Sequence, residues 1–193
     1  MNDLAAILLA GGRGSRMGGV HKPLLEVGGA TLLDAAILAA RSAGADPIVG
    51  VGDPAIAVSA PAGSIAWVRE DPPFGGPVAA IIAALPLIAT RYSLVLACDL
   101  PRVGDAVRVL QASPIERDGT CLADASGRPQ WLTGLYETER LRLAADALPD
   151  AGRDASMRSL LGGLAITVVA ASDDIAFDID TWDDLTEARR RNP

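Results

Sequence analysis

The apolar run Leu4-Ala-Ala-Ile-Leu-Leu9 is followed almost at once by five glycines between residues 11 and 19. A run this short, without polar alternation, is a strand buried on both faces. Such strands belong to parallel sheets covered by helices, so the opening of the chain already points to an α/β architecture. The rest follows the same rhythm. Strands are expected at Leu4–Leu9, Pro47–Val51, Ser64–Val68 and Tyr92–Ala97, with helices at Thr31–Ala43, Pro77–Ile88 and Val103–Gln111 between or after them. Gly44 is a suitable C-terminal stop, and Pro77 suits a first helical position. Beyond residue 112, strands at Thr120–Ala123 and Trp131–Tyr136 follow one another without a full helix between them, so the sheet is expected to be mixed. Helices at Glu137–Ala147, Ala155–Leu161 and Trp182–Arg191 and a strand at Ala165–Ala170 complete the pattern. The 193 residues contain no internal repeat, low-complexity tract or linker, which suits one domain over 1–193.

Charge narrows the partners. The net charge is −7, whereas a protein that grips duplex nucleic acid usually carries a basic field. No positive charge precedes Arg13, so a secretory leader is not expected. The uncharged stretch 72–90 contains four prolines and two adjacent glycines, and its helical part is too short for a bilayer. Cys98 and Cys121 cannot make a disulfide framework and suit free thiols in a reducing compartment. A cytoplasmic protein with neither nucleic acid nor membrane as partner is the expectation.

The glycine-rich segment Leu9-Ala-Gly-Gly-Arg-Gly-Ser-Arg-Met-Gly-Gly-Val-His-Lys22 follows the first strand directly. In open α/β sheets ligands bind outside the carboxyl ends of strands, and glycines there let backbone N–H groups approach an anion. From Leu4 to Leu25 there is no acid, while Arg13, Arg16 and Lys22 are positive. In an acidic chain this marks a polyphosphate site. It is not a P-loop, because Lys22 lies between His21 and Pro23 and lacks the following Ser or Thr, and Pro23 disfavours helix at Lys22. Nor is it the Gly-x-Gly-x-x-Gly fingerprint: from Gly12 and Gly14 the third position is Met17, which leaves a dinucleotide oxidoreductase poorly supported. Lys22 is also the single lysine among 17 basic residues, the other 16 being arginine. A compact ammonium is not interchangeable with a planar guanidinium.

Acidic residues supply the complement. Asp99 stands at the carboxyl end of the strand Tyr92–Ala97, where one carboxylate suits a hard cation such as Mg2+ whose other ligands are phosphate oxygens and water. The competing reading is that Asp99 caps the helix beginning near Pro101. Glu70-Asp71-Pro-Pro-Phe-Gly-Gly-Pro77 leads into a helix N-terminus that suits a phosphate, carboxylate or base edge. Asp178 and Asp180 are expected on one face of a strand end, and Thr181 is expected to cap the last helix.

At these residues the chain resembles the molybdenum cofactor guanylyltransferases, the MobA-like branch of the nucleotidyltransferases. The resemblance is carried by Leu9-Ala-Gly-Gly…Arg16-Met-Gly-Gly…Lys22, by Glu70-Asp71…Gly76-Pro77 and by Cys98-Asp99-Leu-Pro101. Gly127-Arg-Pro-Gln130 and Asp178-Ile-Asp180-Thr181 extend it to nearly the whole chain. It implies a three-layer Rossmann-like fold, with a mostly parallel, mixed sheet and helices on both faces. It further implies transfer of GMP from GTP to the phosphate of molybdopterin, with Mg2+ as cofactor and transient contact with other molybdenum cofactor biosynthesis proteins. Leu9, Ala10 and Gly11 are implied to meet guanine and ribose, and Gly12, Gly14 and Arg16 to hold phosphates. Lys22, Asp71, Gly76 and Asp99 complete the nucleotide site, with Arg16, Lys22 and Asp99 catalytic and Asp99 the metal ligand. Asp178 and Asp180 fall on the acceptor or second-metal side, with Arg153 and Arg158 as candidates for the acceptor's phosphate. The chain departs from the family pattern at His21, where Asp is usual, and at Gly50-Val-Gly52-Asp53, where a base-contacting Asn is expected. A CTP-using relative, or a nucleotide sensor without catalysis, are the alternatives.

Overall fold

A computed structural model describes residues 3–12, 17–53, 55–56, 65–113 and 117–192. Among the described residues, seven strands form one sheet: β1 (Leu4–Leu9), β4 (Ile48–Val51), β5 (Ala66–Val68), β6 (Tyr92–Ala97), β7 (Gly119–Ala123), β8 (Pro129–Glu137) and β9 (Ile166–Ala170). Their order across the sheet is β5-β4-β1-β6-β8-β7-β9, and a small hairpin of β2 (Glu26–Val27) and β3 (Ala30–Thr31) stands apart. β8 is the one antiparallel strand of the large sheet, pairing with both β6 and β7, while β7 and β9 run parallel. The expected mixed, mostly parallel sheet is therefore present. The order of the strands reverses between β1 and β6, and their carboxyl ends open the crevice where such sheets bind ligands.

Helices cover both faces. The helices α1 (Leu32–Ser42), α2 (Gly76–Ala84), α3 (Val103–Ala112), α4 (Thr138–Asp146) and α5 (Met157–Leu161) arise in chain order. Leu33, Ile37, Val107 and Leu110 from α1 and α3 pack with Leu8 and Leu96 on one face. Val78, Ile81, Leu141 and Leu160 from α2, α4 and α5 pack with Ile7 and Val95 on the other. Consecutive residues of β1 thus feed opposite cores, which is why the first strand is apolar throughout.

Several boundaries are set by chemistry that periodicity does not carry. The helix expected over Pro77–Ile88 ends at Ala84 and tightens into a 3-10 turn, Leu85–Leu87, because Pro86 has no N–H for an α-helical bond. The helix expected from Ala155 starts at Met157, where the Ser156 side chain accepts from Ser159 N–H. Lys22–Leu24 forms a 3-10 turn, so the expectation against helix at Lys22 holds only for α-helix. Two short helices complete the chain, α6 (Asp173–Ala176) and α7 (Trp182–Arg191). Thr181 caps α7 in a reciprocal capping box with Asp184. Buried Leu185 and Ala188 of α7 pack with Ile179, Met17 and Leu32, tying the C-terminal segment to the foot of the glycine-rich loop.

Candidate active site

The site grows from the adjacent ends of β1, β4 and β6. Cys98 N–H donates to Leu9 O at 3.2 Å and Ala10 N–H to Val51 O at 2.9 Å, so the three strand ends are laced together. This closeness leaves little room for a side chain at Gly52, where a Cβ would lie 3.0 Å from the carbonyl carbon of Ala10. Gly12 has φ +141°, a conformation that side chains rarely adopt, at the point where the loop turns away from the sheet. Arg13, Gly14, Ser15 and Arg16, including two of the expected phosphate ligands, lie outside the described residues.

Asp99 lies just beyond β6 and is partly buried. It does not cap the following helix: α3 starts at Val103 with Arg102 in the N-cap position. The backbone carbonyl of Asp99 accepts from Ile179 N–H at 3.0 Å, which brings Asp178 and Asp180 to the same end of the sheet. This segment is an irregular connection and not the strand end expected from the sequence; its alternation comes from Ile179, which is fully buried between the two acids. Lys22 Nζ donates to Asp180 Oδ1 at 2.6 Å, with Asp180 and Thr181 N–H both donating to Asp184 Oδ2. Burial and then the Asp178 carboxylate push Asp99 up to about 6, with Asp180 adding to the rise and Lys22 opposing it. Desolvation and Asp180 likewise raise Asp178.

A protonation equilibrium displaced by crowded carboxylates is what a dication relieves, and hard oxygen donors are what Mg2+ prefers. Asp99 and its neighbours therefore fit such an ion. Among the described residues no three acidic, His or Cys side chains stand at metal-ligand spacing, so an ion here would take further ligands from phosphate and water.

Two cavities meet at Asp99. The smaller, about 340 Å3, is walled by Leu9, Gly11, Gly12, Glu70, Phe74 and Gly76 among others. The larger, about 1060 Å3, is bordered by Asp124, Arg128, Gln130, Trp131, Arg158 and Asp178 among others. A third hollow of about 330 Å3 adjoins the smaller one, sharing Gly11, Gly12, Glu70 and Phe74 and adding His21, Asp53 and Arg69. Of the residues expected to meet a nucleotide, Leu9, Gly11, Gly12, Gly76 and Asp99 share one cavity wall. Ala10 is buried beneath it. Lys22 reaches the acidic cluster, and Glu70 rather than the exposed Asp71 takes a place on the wall. Arg158 borders the larger cleft, while the Arg153 side chain runs beside Gly75. Sequence reasoning assigned no role to Phe74, whereas Arg128 and Trp131 fall in the stretch from Gly127 to Tyr136 that resembles the family's substrate-side strand. An aromatic in a Pro/Gly-rich loop, in a chain with only seven aromatics, was the available signal for Phe74.

The free cysteines Cys98 and Cys121 are both buried, and burial pushes the Cys121 thiol up to about 12. Neither is primed as a nucleophile. Among the described residues no helix is long and apolar enough to cross a membrane.

Residues 6–168 match the model of the MobA-like NTP transferase domain. A molybdenum cofactor guanylyltransferase from Nitrobacter hamburgensis is 31% identical, over 95% of this chain and 92% of its own. The first curated relatives matched carry the same name, and the alignments span 50% of the length of one and 66% of each of two others. Among solved structures, a nucleotidyl transferase from Methanothermobacter thermautotroptrophicus superposes with a TM-score of 0.79 at 24% identity, covering 100% of this chain and 98% of that one. A Mycobacterium tuberculosis protein crystallised with manganese superposes with a TM-score of 0.73 at 18% identity, covering 97% and 98%. Both have the same fold as this chain.

Proposed function

Since the chain belongs to the MobA-like NTP transferase family, we propose that it transfers GMP from GTP to the phosphate of molybdopterin and releases pyrophosphate. The observation that carries this reading is the place of Asp99 on the walls of both a nucleotide-sized and a larger cavity. A transferase needs two substrates whose reacting ends meet, and one shared polar group at the junction of two cavities suits that need.

In this reaction an oxygen of the acceptor's phosphate monoester attacks the α-phosphorus of GTP. A bond forms between them as the bond from the α-phosphorus to the bridging oxygen breaks, and that electron pair leaves with pyrophosphate. The nucleophile is already ionised, so the protein need not remove a proton; it must position two anions and offset their repulsion. The smaller cavity holds the nucleotide, with Leu9 and Gly11 toward its base and ribose and Gly12 at its phosphates. Lys22 exchanges its partner Asp180 for a phosphate oxygen, its charge opposing the one that builds on pyrophosphate. Arg158 and Arg128, on the larger cleft, hold the acceptor's phosphate. Asp99, with Asp178 or Asp180 beside it, holds Mg2+, which when bound supplies charge neutralisation at the phosphate oxygens. The manganese-bound neighbour of the same fold supports a divalent ion. Two buried thiols that remain free suit a reducing cytoplasm.

The test is pyrophosphate release from each of the four nucleoside triphosphates with Mg2+, with and without molybdopterin. Release that needs both GTP and molybdopterin is expected. Release with CTP in its place makes the protein a cytidylyltransferase, and none with any triphosphate removes the transferase reading.

A further inference from the structure

Resting on that reading, we propose that Glu70 and Phe74 form the base-selecting part of the nucleotide site. Phe74 is the platform on which the base stacks, and Glu70 is the carboxylate that accepts from the Watson–Crick edge of guanine.

Phe74 is the starting point. Its φ of 65° places an aromatic residue in the left-handed region, where side chains without special support are uncommon. The support is visible: Phe74 N–H donates to Glu70 Oε1 at 2.9 Å, closing the loop from Glu70 to Phe74. The loop does not bury the ring it strains to hold. Phe74 is 47% exposed, on the walls of the two smaller hollows beside the glycine-rich loop. The Arg69 guanidinium lies 5.4 Å from the ring centroid, adding a cation to the aromatic surface. An exposed aromatic ring on the wall of a cavity that Gly11 and Gly12 also line is a stacking surface for a nucleobase.

Glu70 provides selection. It borders the same two hollows. Its Oε1 serves Phe74, and among the described residues nothing donates to Oε2. An ionised carboxylate only accepts hydrogen bonds. Guanine alone among the four bases presents two adjacent donors on its pairing edge, N1–H and the N2 amine. Adenine and cytosine offer one amine beside an acceptor nitrogen that a carboxylate repels, and uracil one N–H between two carbonyls. A carboxylate on this wall therefore favours guanine. Asp53, the other acid nearby, is already engaged: Oδ1 accepts from Ala55 N–H at 2.8 Å and Oδ2 pairs with Arg69 at 3.4 Å. The selection expected from an Asn after β4 is thus supplied from the loop after β5.

The experiment compares GTP, ITP and CTP binding by calorimetry, with Mg2+, for the parent protein, Glu70→Gln and Phe74→Leu. ITP lacks only the N2 amine of guanine. Glu70→Gln retains an acceptor for Phe74 N–H, so the loop is kept, and equal melting temperatures verify this. The parent is expected to prefer GTP over ITP about tenfold or more, the scale of one charge-assisted hydrogen bond. Glu70→Gln should reduce that ratio to within about threefold. Phe74→Leu should weaken GTP and ITP alike by about tenfold while keeping their ratio, since stacking is blind to the exocyclic amine. A Glu70→Gln protein that keeps the parental ratio overturns this inference and leaves the guanylyltransferase reading standing. A parent protein that prefers CTP, or binds no GTP, overturns both.

Discussion

Burial and the neighbouring acids hold Asp99 at a pKa of about 6, against 3.8 for an ordinary aspartate, and this has a cost in stability. Below about pH 3 the group is protonated in both folded and unfolded chains and contributes nothing. Between there and pH 6 the unfolded chain ionises first, so stability falls as pH rises, and above pH 6 the loss is constant. Asp99→Asn removes it. In the presence of a chelator the variant should be more stable than the parent by on the order of 1–2 kcal/mol at pH 7.5, with the two converging at about pH 3. Urea unfolding at both pH values checks this, and a parent that is the more stable at pH 7.5 would contradict it. The same substitution should lower turnover about 10²-fold, the scale of losing one electrostatic stabiliser. Lys22 makes the opposite case, since on the proposed mechanism it gives up its partner Asp180 when nucleotide binds. Lys22→Arg keeps the charge but meets Asp180 and the phosphates with a wider, planar group. GTP titrations should show modest loss of affinity with a much larger loss of turnover, whereas Lys22→Ala loses both. Parental turnover in Lys22→Arg would reduce Lys22 to a generic positive charge.

The segment from Ile179 through α7 positions functional groups that it scarcely contains. Asp184 accepts from the backbone N–H groups of both Asp180 and Thr181, while Thr181 Oγ1 accepts from Asp184 N–H. The cap of the helix and the anchor of Lys22 are therefore one hydrogen-bonded unit. Thr181→Ala should cost about 1 kcal/mol and lower the melting temperature by about 2–4 °C. It should also raise the KM for GTP, because Asp180 loses part of its support, and Thr181→Ser should restore both. A fall in melting temperature with KM untouched would separate the cap from the site. This helix was legible in the sequence to the residue, as were β1 and β6, because apolar runs and capping residues are local signals. The paired two-residue strands β2 and β3 were too short for any periodicity to reveal. The antiparallel course of β8 followed from the missing helix between β7 and β8, a topological inference rather than a propensity. Within the site, Lys22 and Asp99 stood out by chemistry, as a single lysine and as an acid at a strand end. The Lys22–Asp180 pair joins residues 158 positions apart, and no spacing rule reaches that far. The motif Glu70-Asp71 points to Asp71 as the nucleotide contact, whereas Glu70 lines the cavity; which of two adjacent acids faces a cavity depends on the path of an irregular loop.

At the scale of the whole molecule, the sheet places the two cavities to either side of the end of β6. β1, β4, the loop after β5 and the N-terminus of α2 border the smaller cavity, while β7, β8 and α5 border the larger cleft, with the end of β6 and Leu132 of β8 shared between them. Asp124 gathers Ser126, Arg128 and Gln130 around its carboxylate, fixing the β7–β8 turn at the rim of the larger cleft. The consequence is that acceptor and nucleotide affinities should respond to different substitutions. Arg158 borders the larger cleft and is exposed, so its removal leaves the core and the smaller cavity intact. Arg158→Ala should leave the melting-temperature rise given by GTP and Mg2+ unchanged, since that shift reads nucleotide affinity alone. It should raise the KM for molybdopterin about tenfold, the scale of a charged hydrogen bond to phosphate. Turnover at saturating acceptor should change little, because a contact made equally in ground and transition states is lost from KM and not from kcat. Equal weakening of both substrates would mean that the two cavities act as one, with the nucleotide extending past Asp99 into the larger cleft.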